Sequence, residues 1–191
     1  MVAGPISARR FDSKEVFILV GDKSTFAIEC ELRATIDTFY YCNFRFWIAG
    51  EPIGDWEEQS VLGVLMHSSD VFMRFQGARQ SEVGNSMSSE LLWQHINKVA
   101  NSDDANDLHT SLEGRYRQRY LLHEIAYDSV ATVCDVIVVD RIDGVQRLLW
   151  KKKTGVNTQE IALPALTVDK VIANFLDWAN TQQAGNQNRR G

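Results

Sequence analysis

The stretch Phe39–Trp56, FYYCNFRFWIAGEPIGDW, joins the pattern of a β-strand to the pattern of a tight turn. Two kinds of side chain alternate along its first half, with Tyr40, Cys42, Phe44, Phe46 and Ile48 on one face and Tyr41, Asn43, Arg45 and Trp47 on the other. Alternation with a period of two predicts a strand that buries one face. The glycines and the proline of the following GEPIG segment predict a tight turn directly after that strand.

Two more strands are predicted ahead of this stretch. Residues 15–20 read EVFILV, an apolar run that ends at the turn-forming segment GDKS. The next run alternates, with Phe26, Ile28, Cys30 and Leu32 on a predicted core face and Thr25, Ala27, Glu29, Glu31 and Arg33 on a face that we expect to lie in water. Connections this short cannot carry parallel crossovers, so the first third of the chain is predicted to be an antiparallel meander.

Helices are predicted at three places further along the chain. Residues 56–69 are interpreted as a short helix, and residues 70–76 return to an alternating pattern that is typical of a strand. Residues 90–100 carry an apolar stripe with helical spacing. Thr167 is a suitable start for a final amphipathic helix, because apolar residues follow it at spacings of three and four.

The second half of the chain also contains a clear β-hairpin. The β-branched run 130–139 leads through the Asp-Gly turn Arg141–Gly144 into a second strand over 145–153. Together these elements predict an α+β fold. We expect a mostly antiparallel twisted sheet of about six to eight strands with two or three packed helices, including the C-terminal amphipathic helix.

The composition is typical of one domain of ordinary size. The chain has 191 residues, of which 45% are hydrophobic, which is enough for a sizeable core. We expect a single globular domain over residues 11–181, with flexible termini at 1–10 and 182–191. The N-terminal segment lacks the apolar region of a signal peptide, and no apolar run approaches the roughly 18 residues of a membrane span. The sequence therefore predicts a cytoplasmic protein with no membrane segment.

The charge balance of the chain narrows the choice of partner. Lysine and arginine number 20 against 25 aspartate and glutamate residues, which gives a formal net charge of -5. Because a nucleic-acid backbone attracts positive charge, direct binding of nucleic acid is not expected. A basic protein partner fits this charge better. The same charge also has an alternative explanation, namely solubility alone.

The three cysteines, Cys30, Cys42 and Cys134, are expected to be reduced thiols in the core. They show no CxxC spacing and have no paired histidines nearby, so neither a metal nor a cofactor is predicted. The glycine-rich fingerprints GxGxxG and GxxxxGK[ST], which bring backbone amides close to a phosphate, do not occur in the sequence. No set of residues with the spacing of a catalytic motif is present, which predicts a protein that is not an enzyme.

Several segments of the chain, taken in order, resemble the immunity protein 42 family of bacterial polymorphic toxin systems. They are FAIECEL, NFRFWIAGEPIGD, QRLLWKK and QEIALPALTVDKVIANFLDW, which together extend from Phe26 to Trp178. The resemblance implies a small cytoplasmic protein that is encoded beside a toxin and neutralises it by binding. It also implies a fold richer in strands than in helices. It supplies no catalytic residues.

This role requires a surface that covers the active surface of the toxin. The candidates for it are an anchor and carboxylates that would occupy positions meant for phosphates, namely Trp56, Glu57, Glu58, Asp103, Asp104 and Asp107. Trp47 and Trp56 have the alternative of packing under a neighbouring element. The competing hypothesis for the whole chain is a small cytoplasmic α+β enzyme or ligand-binding domain, with a pocket lined by His95, His109 or His123. An adaptor role is a third alternative.

Overall fold

The computed structural model describes residues 9–10, 16–80, 83–100 and 119–187. Its strands are β1 (Arg9–Arg10), β2 (Val16–Asp22), β3 (Phe26–Ile36), β4 (Phe39–Ile48), β5 (Glu51–Ile53), β6 (Gln59–Val61), β7 (Cys134–Asp140), β8 (Val145–Lys152) and β9 (Gln159–Pro164). Its helices are α1 (Leu62–Met73), α2 (Val83–Ser86), α3 (Ser89–Ala100), a 3₁₀ helix (Leu122–Ala126), a π-helix (Tyr127–Ala131) and α4 (Thr167–Gln187). The predicted α+β class is confirmed.

The first sheet is built around the long antiparallel pair β3 and β4. Strands β1 and β2 both pair with one side of β3, and β5 and β6 both pair with the far side of β4. In the register of this pair Ile28 lies opposite Phe46 and Cys30 lies opposite Phe44, so the apolar residues predicted to share a face do share it. A bulge between Leu32 and Ala34 shifts the register near one end of the pair. The predicted antiparallel meander is confirmed.

The predicted hairpin forms a second sheet, in which β8 lies between β7 and β9. This sheet is apolar on both faces because both faces are covered. Val136, Val138 and Leu148 belong to the main core that the sheet shares with the first sheet. Ile137 and Leu149 belong to a smaller cluster beneath α3. Double coverage explains why β7 reads as a continuous apolar run instead of an alternating one.

Helices α1 and α4 complete the main core. Helix α4 packs against α1, β2 and β3, and its residues Val168, Ile172 and Phe175 are fully buried. Helix α4 begins at Thr167, as the sequence predicts, and extends to Gln187. In the described part of the chain, no helix is both long enough and apolar enough to pass through a membrane.

Four expectations about the local structure are wrong in whole or in part. The predicted helix over 56–69 begins only at Leu62, because residues 59–61 form β6. The predicted strand over 130–139 begins only at Cys134, because the π-helix extends to Ala131. Residues 70–76 do not form a strand, because α1 continues to Met73 and turns follow it. The residues that α1 buries, Leu62, Leu65, Ser69 and Phe72, have helical spacing, and this spacing outweighs the short alternating pattern. The predicted water-facing side of β3 is also largely covered, since Ala27, Glu29 and Glu31 are buried.

The three cysteines lie in the core, as expected. Cys30, Cys42 and Cys134 are free thiols and all of them are buried. Burial raises the pKa of Cys134 to about 12, so this thiol is un-ionised at neutral pH. A protonated, enclosed thiol is a poor nucleophile, which is consistent with cysteines that fill space in the core.

Candidate functional site

The predicted anchor, Trp56, lies on the loop that connects β5 to β6. Strands β5 and β6 pair with different parts of β4, and residues 54–58 connect them past Phe44 and Arg45, with which neither strand pairs. Gly54 adopts a positive φ of 135°, and a Cβ atom there would lie only 3.1 Å from the Cβ of Arg45. A glycine is therefore needed for the chain to leave the sheet at this position.

Two hydrogen bonds fix the backbone of this loop. The N–H of Asp55 donates to the carbonyl oxygen of Ser129 in the π-helix at 2.7 Å. The N–H of Glu57 donates to Oδ1 of Asp55 at 3.0 Å, which closes an Asx turn. The loop is therefore attached to the π-helix, and Trp56 lies between Asp55 and Glu57, whose backbone N–H groups are both hydrogen-bonded.

A polar network on the outer face of the first sheet supports Trp56 from below. The guanidinium of Arg45 lies 4.4 Å from the centre of the Trp56 ring and 5.0 Å from the centre of the Trp47 ring. Nζ of Lys23 lies 4.0 Å from the centre of the same Trp47 ring. Cations this close to aromatic rings are attracted to them, so both tryptophans are held in place by neighbouring charges.

Glu29 organises this network. One of its carboxylate oxygens accepts hydrogen bonds from Nε of Arg45 and from Nε1 of Trp47, both at 2.6 Å, and the other lies 3.5 Å from Nζ of Lys23. Burial alone would raise the pKa of Glu29, but the hydrogen bonds from Arg45 and Trp47 outweigh it and hold the pKa below its ordinary value. Glu29 is thus a charged, fully paired group on a covered surface.

The predicted contact residues of the loop differ in their exposure. Glu57 and Glu58 are exposed, whereas Trp56 is half-buried against Arg45. Both tryptophans pack against neighbouring cations and are half-buried, and their role in an interface stays a prediction. Asp103, Asp104 and Asp107 lie outside the described residues, so their role stays a prediction.

The π-helix next to this loop carries an exposed aromatic residue and an acid that the sequence did not single out. The π-helix packs against β4 and β6, and its Tyr127 is 62% exposed. The adjacent Asp128 is exposed as well. Because the carbonyl of Ser129 binds the N–H of Asp55, the π-helix that carries these two residues lies against the loop. We call the combined set, Asp55, Trp56, Glu57, Glu58, Tyr127 and Asp128, the Trp56 surface.

The histidines that an enzyme or ligand-binding domain was expected to use, His95 and His123, are absent from the lining of the hollow beside α1. One hollow of about 110 Å³ lies between α1 and the 3₁₀ helix and is lined by His67 instead. His123 is buried, and its Nδ1 accepts a hydrogen bond from the N–H of Val136 at 2.9 Å. His95 is half-buried on α3, and His109 lies outside the described residues. Within the described part of the chain, no group of three acidic, histidine or cysteine side chains is placed to hold a metal ion.

Comparisons with known proteins agree with the fold. The crystal structure of CdiI from Burkholderia dolosa AUO158 is similar to this chain, with a TM-score of 0.66 at 17% sequence identity. The match covers 84% of this chain and 99% of that one. No match was found among curated proteins. The family model described as immunity protein 42 matches residues 18–178. This match spans most of the chain, which therefore belongs to the immunity protein 42 family.

Proposed function

We propose that this protein binds a cognate bacterial toxin and neutralises it by covering the toxin's active surface. The observation that carries the proposal is the family match over residues 18–178, which includes strands β3 to β9 and the first part of α4. A protein that acts in this way needs no catalytic centre, and its activity lies in a binding surface. It would work in the compartment where the toxin acts, which we propose to be the cytoplasm.

The Trp56 surface is the proposed toxin contact. It combines two aromatic side chains with four carboxylates, and aromatic anchors surrounded by polar groups are typical of the residues that dominate interfaces. Its carboxylates, Asp55, Glu57, Glu58 and Asp128, are exposed. A surface of this charge fits a basic toxin, such as a nuclease whose active surface attracts phosphates. Asp103, Asp104 and Asp107 are proposed to add to the same contact.

The arrangement beneath the surface supports the proposal, because a binding anchor should be rigid before its partner arrives. Arg45 holds the ring of Trp56, and Glu29 in turn holds Arg45. Ordering a side chain at an interface costs about 0.5–1.5 kcal/mol, and an anchor that is ordered in advance avoids this cost. The direct contacts of Arg45 and Glu29 are within the protein, so we assign them a positioning role.

Growth rescue tests the function. The toxin domain encoded by the neighbouring gene should stop growth when it is expressed alone, and co-expression of this protein should restore growth. A catalytically inactive form of the same domain should bind the purified protein. Lack of both rescue and binding would overturn the proposed function.

Substitutions on the Trp56 surface test the assignment of the contact. Trp56→Ala should weaken toxin binding by about 30-fold or more, as expected for an anchor worth about 2 kcal/mol. Glu57→Lys together with Glu58→Lys cancels the negative charge of this surface, and it should slow association and remove most of its dependence on salt. Asp177→Lys is the matched control, because Asp177 is exposed on α4, which covers the opposite face of the first sheet. If both loop variants bind the toxin with wild-type affinity, the Trp56 surface is not the toxin contact, and the proposed function itself is not contradicted.

A further inference from the structure

Two large apolar side chains of β2 lie on the outer face of the first sheet. Phe17 is 49% exposed and Leu19 is 41% exposed. In the register of β2 with β3, Leu19 lies directly opposite Glu29 and Phe17 lies directly opposite Glu31. Residues that are directly opposite each other share a face of the sheet, and so do residues two apart on one strand. The two side chains are therefore neighbours, and we call them the Phe17 patch.

One row of side chains joins the Phe17 patch to the Trp56 surface. Glu29 lies opposite Leu19 on one side and opposite Arg45 on the other. The guanidinium of Arg45 in turn lies 4.4 Å from the centre of the Trp56 ring. Two strand spacings amount to about 10 Å between the backbones of Leu19 and Arg45. The patch and Trp56 are therefore the two ends of one row on the same face of the sheet.

The charged side chains between these two ends already have partners within the chain. Glu29 accepts hydrogen bonds from Arg45 and Trp47, both at 2.6 Å. Glu31 accepts one from Arg33, also at 2.6 Å. Burial of a charge is costly when the charge loses water without having a partner. A protein that covers this row covers paired charges, so the desolvation cost of the contact is small.

Charge and size select the toxin as the protein that covers this row. The exposed carboxylates of the Trp56 surface attract a basic toxin, whereas they repel a second copy of this chain, whose net charge is -5. A stable complex buries roughly 800 Å² on each partner and involves about 20–30 residues on each side, which is more than the Trp56 surface supplies. The toxin contact therefore extends beyond the Trp56 surface.

We propose that a toxin bound at the Trp56 surface extends across the outer face of the first sheet and covers the Phe17 patch with an apolar part of its own surface. This inference rests on the proposed function and adds a second part to the same contact. Charges mainly accelerate association, whereas most differences in affinity between related complexes lie in the dissociation rate. The acids therefore attract any basic toxin, and the Phe17 patch retains the toxin whose apolar surface fits it.

Binding kinetics of the inactive toxin domain test the proposal. Phe17→Thr together with Leu19→Thr removes the apolar surface and keeps residue types that suit a strand. Dissociation should become about 10-fold faster or more, while the association rate and its dependence on salt stay those of the wild type. The control is Ile142→Thr, at a residue that is 61% exposed and follows the end of β7 remote from the π-helix, and both of its rates should be unchanged. Leu19→Thr alone serves if the paired change unfolds the protein.

A combination with Trp56→Ala separates a direct contact from an effect transmitted along the row. Strands β3 and β4 lie between the two ends, and effects at sites more than about 7–10 Å apart usually add. The fold-losses in affinity should therefore multiply when Trp56→Ala is combined with the two threonine substitutions. If the threonine substitutions have no effect in the Trp56→Ala background, they act only by disturbing Arg45, and the proposal is wrong.

The outcomes also separate this inference from the proposed function. Wild-type dissociation in the threonine variant, while the wild type itself binds the toxin domain, would overturn the inference and leave the function in place. Lower stability of the isolated variant with unchanged dissociation would assign the patch to the chain's own packing and would overturn the inference too. So would a wild-type dimer, seen by sedimentation, that the threonine variant loses without any change in toxin binding. If the wild type fails to bind the toxin domain at all, the proposed function fails first and the inference falls with it.

Discussion

At the scale of single residues, the outer face of the first sheet depends on one carboxylate. Glu29 is 6% exposed, yet it is charged, because Arg45, Trp47 and Lys23 all direct donors at it. A buried charge is tolerated only when such partners compensate for the water it has lost. The sequence places Glu29 and Arg45 on the outward faces of consecutive strands, and the register of β3 with β4 brings them directly opposite each other.

Replacement of Glu29 should therefore cost stability. Glu29→Gln keeps the shape of the side chain but leaves the guanidinium of Arg45 without its charged partner, and we expect a loss of about 1–3 kcal/mol in the free energy of unfolding. Urea denaturation measures this loss. The matched control is Glu57→Gln on the exposed loop, which should change the free energy by no more than about 0.5 kcal/mol. Equal effects in the two variants would show that Glu29 does not organise the network.

His123 should make the stability depend on pH. Burial lowers the pKa of His123 below its ordinary value of 6.5, although Asp135, at 3.6 Å from Nε2, acts in the opposite direction. The fold therefore favours the neutral ring, whose Nδ1 accepts a hydrogen bond from Val136. The pKa of His123 is lower in the folded protein than in the unfolded one. The stability that the neutral ring contributes is therefore fully present above pH 6.5 and is lost as the pH falls below that value.

Unfolding experiments at pH 7.5 and pH 5.5 check this direction. The free energy of unfolding of the wild type should fall between these values, by at most about 1.4 kcal/mol per pH unit for one proton. His123→Asn keeps an acceptor near the position of Nδ1 but cannot be protonated, so its free energy should change less. His67→Asn, at an exposed position on α1, should behave like the wild type. A steeper fall in His123→Asn than in the wild type would contradict the assignment.

At the scale of elements, a buried arginine joins three parts of the fold. Arg79 is fully buried and forms an ion pair with Asp169 in the first turn of α4. Its Nε lies 3.7 Å from Oδ2 of Asp140 at the end of β7, and its Nη1 donates to the carbonyl of Phe72 in α1 at 3.2 Å. The segment after α1 is thus tied to both α4 and the second sheet.

Removal of one member of this pair should be strongly destabilising. Asp169→Asn leaves a buried guanidinium short of a negative partner, and such changes cost about 3–5 kcal/mol. Chemical denaturation should show this loss, while Asp177→Asn, on the exposed side of the same helix, should stay within about 0.5 kcal/mol of the wild type. A small effect of Asp169→Asn would mean that Asp140 and the carbonyl of Phe72 are sufficient partners for Arg79.

Elements with strong periodicity were predictable, and elements that tertiary contacts decide were not. Strand β4, the β7–β8 hairpin and the start of α4 follow directly from alternation, turn residues and helical spacing. The error over residues 70–76 arose because a short alternating pattern also fits the end of a helix that packs on α4. Tyr127 carried no signal in the sequence, since its exposure depends on a π-helix that long-range packing positions.

At the scale of the whole molecule, the fold separates its surfaces. Helices α1 and α4 cover the inner face of the first sheet, and the second sheet with α3 closes the other side of the main core. The Trp56 surface lies at one side of the first sheet, beyond β4, and strands β1 and β2 lie at the other side.

Neutralisation by occlusion makes a direct prediction about competition. A protein that covers the active surface of the toxin must exclude the toxin's substrate from it. The apparent affinity of the protein for the inactive toxin domain should therefore fall in proportion as substrate is added, and Trp56→Ala should lose inhibition and binding together. Asp177→Lys should inhibit as the wild type does.

The decisive measurement is a titration of this protein against the toxin domain encoded by the neighbouring gene, with the toxin's substrate present at several concentrations. Apparent dissociation constants that rise linearly with substrate, and complete inhibition at saturation, are the expected result. Unchanged dissociation constants, with toxin, substrate and this protein held in one complex, would contradict neutralisation by occlusion.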